Sequence, residues 1–452
     1  MHTTLPRASW LPLLALLAAC GEPASRAQEP APAKSPEQLE LERSAEEIRL
    51  QVEELRGMKY KRAVAVELTD KQGFLEYARK RQQATETPER RSRDESVAKL
   101  LGLIPREMDL AATFESFLEQ QVGGFYDPGS DTFYLMRDFG GDLARIILAH
   151  ELTHALDDQH FDLDAAIKSA DQQTDAEFAV QALAEGSGTN AMNVWTIKHM
   201  GELDKQALAG SSDLGTKGLD TAPTLVWKPL LAAYLRGEGF LVHSEGMNVL
   251  ASAAKPEELR RAFTDPPRSS EQILHPKKYW DAKKRDDPVR VTLETSQLPR
   301  GWKVLGEDTL GELYLALVTQ PFPERGGLDA KNPLSILGVK YTHKAAEGWG
   351  GDRLVLAGKD DARVLYLVTV WDTPADAQEF HAALAELTRR DTPATASDVV
   401  GPEELRVGWL AGLGALELVH DAERAAVTLR VEWKTHPDAE GLPRMLEWSA
   451  AK

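Results

Sequence analysis

The stretch Ala149-His-Glu-Leu-Thr-His-Ala-Leu156 sits inside a helix that the apolar spacing predicts from Gly141 to Asp157. Helical residues four apart share a face, so His150 and His154 can each aim a ring nitrogen at one ion. Glu151 flanks that face, where it can hold a water on such an ion and take its proton. Leu143, Ile146 and Ile147 lie one and two turns earlier on the same side, which predicts that the ligand face is buried. Buried imidazoles need a partner, and a metal supplies one. The expected cofactor is therefore Zn2+, bound by three protein groups with one position left open for chemistry.

Two residues compete for the third place. Glu185, in Ala182-Leu-Ala-Glu-Gly-Ser187, lies on a separate predicted helix that runs from Ala176 into the 190s and is weakened locally by Gly186 and Gly188. His160 completes a spacing close to the metzincin pattern, His-Glu-x-x-His-x-x-Gly-x-x-His. Here Asp157 replaces the glycine that lets the chain turn sharply after the helix, and Asp suits that turn less well. Glu185 is the favoured ligand, and His160 is its rival.

The rest of the chain sets the context. Its 452 residues are 42% hydrophobic and 27% charged, which excludes a mainly disordered, fibrous or polytopic membrane protein and suggests more than one domain. A net charge of −18 with no basic patch argues against nucleic acid as a partner. The single cysteine, Cys20, rules out an intrachain disulfide and a Cys-rich zinc finger. Arg7 precedes an apolar run, Leu11 to Ala19, that falls short of the roughly 20 residues a membrane span needs. Residues 1–19 thus have the shape of a signal peptide. Leu17-Ala-Ala-Cys20 resembles the bacterial lipobox, which implies a lipid on Cys20 and a membrane anchor. Gly21 rather than Asp after it implies an exported lipoprotein sorted to the outer membrane. The Pro/Ala-rich residues 20–37 read as a flexible tether.

The expected fold is α+β: a mainly helical domain with a small β-hairpin over residues 38–285, then a smaller α+β domain over 286–452. Within the first, the pattern predicts a helix from Glu37 to Gly57, a strand from Ala63 to Leu68 and helical sequence from Phe74 to Leu103. A strand–turn–strand follows through Val122–Tyr126 and Thr132–Met136, and residues 228–275 are mostly helical. In the second, Val289–Leu293, Leu313–Leu317, Arg353–Ala357, Val364–Val370 and Ala425–Val431 read as strands around one helix, Pro374–Arg389. Trp349-Gly-Gly-Asp352 and Trp371-Asp-Thr373 read as tight turns with aromatic anchors, without a chemical role.

His150-Glu-Leu-Thr-His-Ala-Leu-Asp-Asp-Gln-His-Phe-Asp-Leu163, preceded by Gly124-Phe-Tyr-Asp-Pro128 and followed by Ala184-Glu-Gly186, resembles secreted gluzincin-type metallopeptidases. Pro266-Pro-Arg-Ser-Ser-Glu-Gln-Ile-Leu-His-Pro276 is similar to a segment of the same group. The resemblance covers about residues 50 to 280. It implies a zincin-like fold, zinc on His150, His154 and Glu185, Glu151 as general base, and a peptide or protein substrate. It also implies a downstream His or Tyr that steadies the oxyanion: His275 first, with Tyr234 and Tyr279 behind it. Asp157 departs from the group, which has Gln there. His243 reads as a packing residue. The competing expectation is a catalytically silent zinc-binding lipoprotein that serves as a binding module.

Overall fold

Ser35 starts the first helix, accepting the Gln38 N–H at 3.2 Å, with Pro36 fixing the first turn. Gly57, at φ 62°, ends it in the left-handed region. A computed structural model describes residues 34–451 apart from 86, 122, 128, 171–172, 207–218, 220–221, 245–246, 251, 320–332, 391–396, 400–403, 409–412 and 434–440. The expected signal peptide, Cys20 and most of the tether lie outside the described residues.

The helices are Pro36–Arg56 (α1), Lys71–Thr85 (α2), Pro88–Leu100 (α3), Leu110–Gln121 (α4), Gly141–Phe161 (α5), Leu163–Ser169 (α6), Thr174–His199 (α7) and Thr224–Val242 (α8). Four short ones follow, Met247–Leu250, Pro256–Thr264, Ser270–Leu274 and Lys277–Trp280 (α9 to α12), then Gly311–Val318 (α13) and Pro374–Arg390 (α14). Strands Ala65–Thr69 (β1), Gly124–Asp127 (β2) and Thr132–Met136 (β3) form a sheet in the order β1-β3-β2, with β1 parallel and β2 antiparallel to β3. Strands Arg290–Leu293 (β4), Lys303–Asp308 (β5), Trp349–Lys359 (β6), Ala362–Trp371 (β7), Ser397–Val399 (β8), Glu404–Gly408 (β9), Leu413–Asp421 (β10), Ala426–Trp433 (β11) and Trp448–Ala451 (β12) make the rest. β5-β6-β7-β11-β10-β9-β8 is an antiparallel seven-stranded sheet, and β12 pairs with β4. The molecule is α+β, as its patterning suggests.

One hydrophobic core runs from Val97 in α3 through α7, α8 and α13 to Val431 in β11, so sequence on both sides of residue 286 shares it. A second core joins α1, the small sheet and α5. α1 and β1 are thus built into the fold.

Three local expectations are corrected. Leu313–Leu317 is helical, not a strand: all eight residues of α13 are buried, which hides the helical period. Its start is held by the Asp352 carboxylate, 2.8 Å from both the Leu310 and Gly311 N–H groups. Trp349–Asp352 is not a turn but the start of β6, where a bulge between Trp349 and Gly351 leaves Trp349 opposite Trp371. Finally, α5 runs past Asp157 to Phe161. Asp162, in the left-handed region at φ 53°, ends it, and its side chain caps α6 through the Ala165 N–H.

Candidate metal centre

α5 and α7 pack side by side, and their contact brings three ligand-capable groups together. His150 Nε2 lies 3.2 Å from Glu185 Oε2, His154 Nε2 lies 3.4 Å from the same oxygen, and the two Nε2 atoms are 2.9 Å apart. The imidazole rings meet edge to face at 87°. Ligands at about 2.0–2.1 Å on a tetrahedron stand about 3.3 Å apart, so these three atoms match three corners of a zinc site. The donor set, two imidazoles and a carboxylate, is that of a catalytic zinc with an open fourth position.

Glycines make the approach possible. A Cβ on Gly188 would lie 2.9 Å from His150 Cε1 and 3.0 Å from His154 Cε1. A Cβ on Gly237 of α8 would come within 1.8 Å of the Ala182 carbonyl oxygen, and one on Gly186 within 2.1 Å of Gly237. The residues that weaken α7 by propensity are the ones that let α5 and α8 press against it. The helix stays continuous through them.

All three ligand candidates are buried. Burial alone would lower the His154 pKa, but the Glu185 charge and hydrogen bond, with Glu151 and Asp157, raise it to about 9. Burial pushes Glu185 up, yet the charge of His154 and hydrogen bonds from both imidazoles hold it well below the usual carboxylate range. Glu151 is half-buried beside them. Burial raises it most, while His150, His154 and a hydrogen bond from the Tyr126 N–H pull it down. That N–H belongs to β2. The Met136 N–H bonds the Gly123 carbonyl at 3.0 Å, and ladder alternation then leaves the N–H and C=O of Gly124 and Tyr126 on the outer edge of β2, the edge that meets Glu151.

The other expected residues sort themselves around this centre. His160 stays on α5, with its Nε2 2.8 Å from the Lys59 carbonyl oxygen. The Gly-like turn at Asp157 that would bring it to the ion does not form, because Asp157 is helical and fully buried. His275 ends α11, and its Nε2 lies 2.9 Å from Glu312 Oε1. No hydrogen bond or ring contact among the described residues links it to the triad. Tyr234 of α8 does reach the centre: its ring stacks on His150 at 5.7 Å and its hydroxyl bonds Glu185. Burial, then the Glu185 and Glu151 charges, hold that phenol far above its ordinary pKa. The Tyr279 hydroxyl bonds the Asp265 carbonyl oxygen at 2.7 Å. His243 caps α8 and stacks on Trp280 at 4.6 Å. Sequence reasoning missed Gly188 and the Tyr126 N–H; a glycine one turn from Glu185 was the available signal for the former.

A family model described as a domain of unknown function, DUF8575, matches residues 302–412, a segment that excludes the triad. Comparison with curated proteins and with solved structures finds no match.

Proposed function

We propose that this chain is a zinc-dependent peptidase of gluzincin type with a zincin-like helical core, held at a bacterial envelope by a lipid on Cys20. The observation that carries the reading is the convergence of His150, His154 and Glu185, with ligand atoms 2.9 to 3.4 Å apart. These three residues would hold the ion. Bound there, zinc supplies Lewis-acid polarisation of a carbonyl and lowers the pKa of water. Glu151, next to His150 and raised by its partly dry setting, takes the proton of the attacking water at its carboxylate and returns it to the leaving amine. Tyr234 keeps its proton at neutral pH and packs on His150, so by turning its hydroxyl from Glu185 it can donate to the developing oxyanion; this role falls to it rather than to His275, whose ring bonds Glu312 and touches none of the three ligands among the described residues. The outer edge of β2 offers the Gly124 N–H and C=O and the Tyr126 C=O for pairing with an extended peptide, while the Tyr126 N–H holds Glu151. The partners are thus a peptide or protein substrate and, through the anchor, a membrane.

Digesting a proteome-derived peptide library with wild type and Glu151→Gln, with and without chelator, tests the reading. One zinc per chain is expected in both proteins. Cleavage should fall about 10²–10⁴-fold in the variant and cease with chelator. Equal cleavage by both proteins rejects the mechanism. A zinc-loaded wild type that cleaves nothing favours the silent binding module.

A further inference from the structure

Asp157, the residue that departs from the gluzincin group, holds three helices together beside the ligands. Its Oδ1 accepts Arg56 Nη2 of α1 at 2.5 Å, and its Oδ2 accepts the Ser187 hydroxyl of α7 at 2.5 Å. Arg56 is 2% exposed, and Asp157 and Ser187 are fully buried. Asp157 lies three residues after His154, and Ser187 two after Glu185, so the carboxylate spans the α5–α7 contact within one turn of both ligands. The chain after Arg56 continues the seam along α5. The Tyr60 hydroxyl bonds the Leu152 carbonyl oxygen at 2.5 Å, Gln159 Oε1 accepts the Lys61 N–H at 2.8 Å, and the Lys59 carbonyl meets His160.

We propose that Arg56, acting through Asp157 and Ser187, is a positioning residue for the metal centre, fixing how α5 meets α7 so that His154 and Glu185 reach one ion. The inference rests on the zinc reading above. A buried ion pair is weak evidence for stability in itself, because an apolar replacement of similar volume is often as stable. That property separates positioning from mere support. Zinc affinity by chelator competition and Tm are measured on the full chain for R56M and for R56M/D157L/S187A. The single variant should bind zinc at least about tenfold more weakly. The triple variant should recover the wild-type Tm while its affinity stays about tenfold down. Recovery of affinity together with Tm overturns the proposal, as does an R56M protein that binds zinc like wild type. Should R56M fail to fold, Ser187→Ala removes only one arm: about threefold weaker zinc is expected, and unchanged affinity rejects the clamp. A wild type that holds no zinc sinks the metal reading itself, a distinct outcome.

Discussion

Among the described residues, two places bring three metal-capable side chains within reach of one another: the His150, His154 and Glu185 centre, and Glu271, Asp286 and Asp372 near the start of the C-terminal portion. They solve the same electrostatic problem in opposite ways. In the second, the Lys278 ammonium stands among the three carboxylates at 2.6, 3.0 and 2.9 Å, so the cation is covalent and permanent. In the first, no lysine or arginine bonds the three ligand atoms among the described residues, and two neutral-capable imidazoles face one carboxylate. Proximity of acidic groups alone therefore does not mark a metal site; two imidazoles converging on one carboxylate, with no lysine or arginine bonded among the ligand atoms of the described residues, is the better candidate. Glu238 of α8 shows a third solution, a fully buried carboxyl held by the Asn190 and Asn193 amides.

The largest expected effect tests the first site. Glu185→Ala should leave the folded chain without bound zinc at stoichiometric metal, as read by elemental analysis after desalting. His160→Ala should keep a full load, since its ring serves the Lys59 carbonyl. A full load in the Glu185 variant would break the contrast between the two clusters.

Lys278→Met tests the second. It removes the ammonium that bonds buried Glu271 and its two neighbouring carboxylates, at a cost of about 3 kcal/mol in urea unfolding. Added calcium should restore part of that loss by taking the vacated place. The absence of any calcium effect would show that the three carboxylates separate once the lysine is gone.

Glu238 yields a smaller, pH-dependent effect. Burial raises its carboxyl to about 7, against the partial pull of Asn193 and Asn190. A carboxyl raised in the folded state contributes stability that is complete below its ordinary pKa near 4.5 and is lost as pH climbs through 7. Relative to wild type, Glu238→Gln should therefore gain about 3 kcal/mol between pH 4.5 and 8. A pH-independent difference would mean the carboxyl ionises freely.

What the sequence conveyed follows from how local each signal was. The α5 motif and the β2–β3 hairpin were readable because helical spacing and the Asp127-Pro-Gly turn act over a few residues. α13 was misread because burial on every side erases periodicity. That Glu185 lies beside His150 was readable, but that Tyr234 rather than His275 packs on His150 was not. It depends on how α8 crosses α7, and that crossing is set by backbone contact at Gly186 and Gly237 rather than by any pattern within one helix. The bond from Arg56 to Asp157 carried no sequence signal, since the two residues stand far apart in the chain.

Gly188 offers the finest test of the first site. By propensity alone, Gly188→Ala should stabilise α7 by about 1 kcal/mol, because alanine loses less backbone entropy than glycine in a helix. By packing it should do the reverse, because the new methyl would meet His150 Cε1 at 2.9 Å and His154 Cε1 at 3.0 Å, and both rings must then move. The two effects nearly offset in stability, so Tm should change little. They do not offset in ligand geometry, since both displaced rings carry an Nε2 atom that belongs to the proposed ligand set. Zinc affinity should therefore drop about tenfold at nearly constant Tm. A rise in Tm with unchanged zinc affinity would show that the imidazoles have room to spare, and the comparison with the rigidly filled Lys278 cluster would lose its force.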